Sequence, residues 1–86
     1  MIENKRNHLN EILQDRPGPL WCKLMETACG EISNYHIRDY DYELAEKYQP
    51  DTLSFSQNDL LRCECVDDIP EDWLQYLYAC IDKYEI

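Results

Sequence analysis

Eighty-six residues allow one domain with a thin core, because a chain this short buries only about 60 to 65% of the surface it exposes when unfolded. Hydrophobic residues make up 44% and charged residues 30%, which is too apolar for a disordered acidic tail. The formal net charge of −10, from eighteen acids and eight bases, disfavours nucleic acid and anionic lipid as direct partners.

Residues 3 to 16 predict a first helix with Leu9, Ile12 and Leu13 along one side and mixed charge elsewhere. His8, one residue before Leu9, reads as a boundary or surface histidine. Arg16-Pro17-Gly18-Pro19 breaks the helix, since two prolines remove donors and the glycine admits unusual backbone angles. Pro19 suits the first position of a second helix, with Gly18 as its cap. Leu20, Trp21, Leu24, Met25, Ala28, Cys29 and Ile32 then form a broad apolar face, the pattern of a helix packed on two neighbours. Cys22 falls off that face and Cys29 on it. Gly30 is a candidate helix end, although Ile32 keeps the phase.

From Ser33 to Gln49 the chain turns acidic and aromatic. Ile37, Tyr40, Leu44 and Tyr48 keep helical phase, whereas Tyr40, Tyr42 and Leu44 alone alternate as in a strand. The composition Glu43-Leu44-Ala45-Glu46-Lys47 favours a helix from about Asp39 to Tyr48. On it Asp39, Glu43 and Glu46 share a face with Tyr42 beside them, and Asp41 adds a further carboxylate. Rings interleaved with carboxylates suit a recognition surface, because tyrosine combines large area, few torsions and a polar tip. The same tyrosines also fit the edge of a core with their hydroxyls in water.

Gln49-Pro50-Asp51 closes this element. Ser56 with Asp59 resembles a helix cap ahead of Leu60, Leu61 and Cys65. A hairpin also fits, with Gln57 opposite Leu61, Phe55 opposite Cys63 and Leu53 opposite Cys65. The helix is preferred because one valine and two threonines stand against ten leucines and seven isoleucines.

The stretch from Glu64 to Tyr84 joins the densest block of carboxylates to the cleanest amphipathic helix. Glu64, Asp67, Asp68, Glu71 and Asp72 place five acids in nine residues. Trp73, Leu74, Leu77, Tyr78, Ile81 and Tyr84 then form one apolar stripe. Asp68 with Glu71 predicts a capping box, with Pro70 in the first helical turn. The predicted fold is mostly α, a small single-domain bundle of about four helices. Its alternative is α+β with a hairpin at residues 52–66.

Charge is unevenly distributed. Residues 1–30 carry four acids and four bases and sum to zero, so residues 31–86, with fourteen acids and four bases, carry the whole −10. No apolar leader follows Met1 and no stretch reaches the roughly 18 apolar residues of a membrane span, which predicts a cytoplasmic protein. Five cysteines without a signal segment predict reduced thiols. Cys63-x-Cys65 lacks the spacing of zinc knuckles and has no second pair; His36 is the histidine that could join it. Glycine only at positions 18 and 30 excludes a Gly-rich phosphate loop. Nothing predicts an enzyme, a cofactor or a metal.

In size and charge pattern the chain resembles, as a class, small acidic inhibitors: immunity proteins that plug a nuclease toxin, and phage or mobile-element proteins that block nucleic-acid-handling machinery. That resemblance implies a basic protein partner, bound through nucleic-acid mimicry by surface carboxylates. Asp39, Tyr40, Asp41, Tyr42, Glu43 and Glu46 would form one contact region, with Tyr40 and Tyr42 as anchors. Glu64, Asp67, Asp68, Glu71 and Asp72 would form the second. The competing expectation is an assembly module that uses an apolar helix face, from Leu20–Ile32 or Trp73–Tyr84, with charge serving solubility alone. Monomer and dimer are equally compatible with the sequence.

Overall fold

The computed structural model describes residues 2–29 and 42–86. They form five α-helices: α1 (Ile2–Gln14), α2 (Pro19–Cys29), α3 (Tyr42–Tyr48), α4 (Gln57–Arg62) and α5 (Glu71–Tyr84). A 3-10 turn at Val66–Asp68 precedes α5. No strand occurs among the described residues, so the chain is a small helical bundle. The hairpin alternative at residues 52–66 is not formed. Instead Ser56 caps α4 in a reciprocal box: its side chain accepts from the Asp59 N–H at 3.2 Å, and the Asp59 carboxylate accepts from the Ser56 N–H at 3.0 Å.

The break after α1 forms where two prolines and a glycine stand. Gly18 donates its N–H to the Asp15 carbonyl at 2.5 Å, and a Cβ at this position would sit 2.6 Å from that backbone oxygen. Only glycine fits so close to a main-chain atom. Pro19 opens α2 as expected. Arg16 then reaches forward, donating from Nη1 to the Leu61 carbonyl at 2.6 Å. This satisfies one of the carbonyls that the end of α4 leaves unpaired.

The core forms where α5 lies against α2 and α3, with α1 packed on α2, α5 and the 3-10 turn. Leu9, Ile12 and Leu13 of α1 and Trp21, Leu24, Met25 and Ala28 of α2 are buried, as their spacing predicts. The buried arc of α5 is wider than predicted. Trp73, Leu74, Leu77, Tyr78 and Ile81 are buried, but so are Tyr76 and Cys80, both at 0% exposure. Tyr76 is accommodated because its hydroxyl donates to the Ala28 carbonyl at 2.7 Å, at the C-terminal turn of α2. Trp73 packs edge-on against both Phe55 and Tyr76, with ring centroids 5.9 and 5.7 Å away. Only a narrow strip of α5 faces outward, through Glu71, Gln75, Asp82 and Lys83.

One local prediction fails. Asp68 and Glu71 do not form a capping box: Pro70 stands at the N-cap of α5, which has no side-chain cap. Ile69, directly before the proline, is extended (φ −103°, ψ 127°). A residue in that place is pushed out of helical geometry by the proline ring. The helix therefore starts two residues later than the box requires, and Asp68 closes the 3-10 turn instead.

Candidate functional site

The carboxylates from Glu64 to Asp72 are held outward by an inward anchor. Val66, Ile69 and Trp73 are buried, while Glu64, Asp67, Asp68 and Glu71 between them are exposed. The 3-10 turn is tied to α1, where Asn10 accepts the Val66 N–H at 3.3 Å. The acids thus stand on backbone that is already ordered.

They are not equivalent. Arg6 pairs with Asp67, and Arg16 lies 3.6 Å from Glu64. Both carboxylates stay about three-quarters exposed, which makes these pairs surface contacts worth roughly 0 to 1 kcal/mol and open to exchange. Glu71 accepts from Gln75 Nε2 at 2.6 Å along the exposed strip of α5, and Asp68 is exposed. Asp72 is spent on structure: its Oδ2 accepts the Asp51 N–H at 2.7 Å. The five acids of this segment, less the two arginines that pair with them, sum to −3. Beside it lies an open cavity of about 440 Å³, lined by Leu13, Gln14, Arg16, Glu64 and Cys65.

The other predicted region is only partly described. Asp39, Tyr40 and Asp41 lie outside the described residues, as does the Tyr42 side chain at the start of α3. Glu43 and Glu46 are exposed, with Leu44, Ala45 and Tyr48 packed toward the core. The described part of this region, Glu43 and Glu46, lies on the helix that packs along α5. Lys83 lies 4.0 Å from Glu43, whereas Asp51, after α3, meets Asp72. α3 therefore runs antiparallel to α5. The eleven residues from Asp72 to Lys83 put Glu43 about 17 Å along α5 from Asp72, with Glu46 nearly one turn closer.

Asp51 was not among the predicted contact residues, yet it organises the neighbouring turn. Its Oδ1 accepts from the Leu53 N–H at 2.9 Å and the Ser54 N–H at 3.3 Å. Hydrogen bonds to Ser54, with the Leu53 and Ser54 N–H groups, hold its carboxyl below the ordinary aspartate range. The Trp73 indole N–H lies over the carbonyls of Asp51 (3.2 Å) and Phe55 (3.0 Å), fixing the turn to the buried ring. The signal in the sequence was Pro50-Asp51 followed by Ser54, a side-chain-to-backbone turn pattern.

No protein-family model matches the chain, and no curated protein or solved structure matches it.

Four thiols lie among the described residues, those of Cys22, Cys63, Cys65 and Cys80. Burial, followed by Asp68 and Asp59, pushes the Cys63 thiol up, which keeps it protonated near neutrality. Cys65 donates its S–H toward Asp67 at 3.6 Å. Cys22 is half-buried off the core face of α2, as predicted, and Cys80 is buried. No group of three metal-ligating side chains gathers among the described residues; His36, the histidine that could join Cys63 and Cys65, lies outside them. His8 is half-buried and hydrogen-bonds through Nε2 to the Ile86 carbonyl at 3.1 Å. No helix among the described residues is long and apolar enough to cross a membrane.

Proposed function

We propose that this chain is a small acidic protein that binds and inhibits a basic nucleic-acid-binding or nucleic-acid-cleaving protein, in the manner of an immunity protein or a phage or mobile-element inhibitor. Its carboxylates occupy a groove that otherwise receives phosphates. One observation carries the reading: Glu64, Asp67, Asp68 and Glu71 face water from a segment that Val66, Ile69 and Trp73 anchor in the core. Charges on ordered backbone bind without a further ordering cost, and they steer a basic partner into encounter. Arg6 and Arg16 pair only weakly with Asp67 and Glu64, so the cations of a partner can displace them. Asp68 and Glu71 are the first contacts, Glu64 and Asp67 the second. Asp72 serves the fold. The natural setting of this activity is cytoplasmic, where the partner is made.

Trp21, Leu24, Met25 and Ala28 of α2 and Trp73, Leu74, Leu77, Tyr78 and Ile81 of α5 are buried, which leaves Leu20 as the exposed apolar residue of these stripes among the described residues and weighs against the assembly-module reading. The test is capture of the partner from the native host at low salt, followed by affinity measured between 0.05 and 0.5 M salt. The expected result is a basic partner whose Kd weakens at least tenfold over that range, and at least tenfold again when Asp68 and Glu71 are replaced by Asn and Gln. An affinity flat in salt and unchanged by the replacements would overturn the proposal.

A further inference from the structure

The exposed large apolar side chains of the described residues are Leu20, at 42%, and Leu53, at 98%. Single exposed leucines are common on protein surfaces. Leu53 differs in its support. Its own N–H is held by Asp51, the Phe55 N–H returns to the Asp51 carbonyl at 3.3 Å, and both ends of the turn are fixed by the Trp73 indole. The Asp51 N–H is held in turn by Asp72. The backbone that carries Leu53 is thus braced from four directions while its side chain touches water.

The turn carries the exposed Asp51 and is tied to Asp72, next to Glu71 at the start of α5, so Leu53 stands on a turn that adjoins carboxylates. A second copy of the chain, also at −10, would bring like charge to like charge here. The complementary surface is a basic one with an apolar pocket. We infer that Leu53 is an apolar anchor, presented on a braced turn, that inserts into a pocket on the basic partner beside the cations that meet Asp68 and Glu71. This rests on the acidic-inhibitor reading and adds the residue that supplies contact persistence, since charge mainly sets encounter rate and desolvated anchors set release.

Two peptides of equal charge separate the parts: a lysine homopeptide and an amphipathic leucine–lysine peptide, each titrated into isotope-labelled protein and followed by NMR. The amphipathic peptide should bind about tenfold tighter than the homopeptide, the transfer of one leucine from water being worth roughly that factor. It should shift the Leu53 and Ser54 amides and the Trp73 indole N–H. Leu53→Ala should remove that advantage, and Leu53→Met should keep most of it. If the amphipathic peptide gains nothing over the homopeptide, or Leu53→Ala leaves the gain intact, the anchor is overturned although the acidic reading survives. If neither peptide shifts the amides of residues 64–72, the acidic reading fails as well.

Discussion

Gln49 and Glu85 follow α3 and α5 in left-handed geometry, with φ of 45° and 54°. A side chain there carries strain that glycine lacks. Gln49→Gly should therefore raise stability by about 1 kcal/mol, offset in part by glycine's larger unfolded-state entropy. Denaturant midpoints at unchanged m-value check this. Asp51 makes a pH prediction with a definite sign. Its folded pKa lies below the ordinary 3.8, so the turn's contribution is complete above that value and is lost as pH falls through the depressed one. The Trp73 indole N–H, bonded to the Asp51 carbonyl, is the reporter. Its acid transition should have a midpoint below 3.8, and in Asp51→Asn that transition should be absent. A midpoint at or above the ordinary value would contradict the assigned hydrogen bonds.

At the scale of elements, α5 is the organising helix, and Tyr76 shows why its role was under-read. Periodicity identified Trp73, Leu74, Leu77, Tyr78 and Ile81, but a tyrosine between them is assigned to the wet edge by default. What buries it is a partner 48 residues away, the Ala28 carbonyl. Tyr76→Phe should cost about 1 kcal/mol or somewhat more, because the buried carbonyl loses its donor while ring packing is kept. Thermal unfolding of the pair of proteins measures it; no loss would mean the hydroxyl contributes nothing. The Ser56–Asp59 cap was legible because both partners lie within one turn. The expected Asp68–Glu71 cap failed for an equally local reason that was overlooked, the restraint Pro70 places on Ile69.

The whole molecule is governed by the balance between surface ion pairs, four of them among the described residues, and a net charge of −10. Lys5–Asp82, Arg6–Asp67, Arg16–Glu64 and Lys83–Glu43 attract at short range. The remaining acids repel at long range, and at roughly 0.01 M salt the Debye length of about 30 Å spans almost the full 33 Å of the molecule. Exposed pairs contribute little each, so repulsion wins. Raising salt from 0.01 to 0.2 M should therefore raise Tm. A falling Tm would mean that the pairs dominate, and the acids would then be less available to a partner than proposed.

The helical character of the chain, the break at Pro17–Pro19, the Ser56–Asp59 cap and the excess of acid were legible in the sequence, because propensity, periodicity and charge are local or additive; the start of α5 and the choice between helix and hairpin at residues 52–66 were settled by the structure. Which carboxylates stand free was decided only in three dimensions. Asp67 and Asp82 meet cations 61 and 77 residues away, and Asp72 is taken up by a turn 21 residues before it. The antiparallel course of α3 against α5 also separates Glu43 from Asp72, which the linear order leaves within reach of each other. Pairing through space depends on the packed fold, and no short-range pattern encodes it.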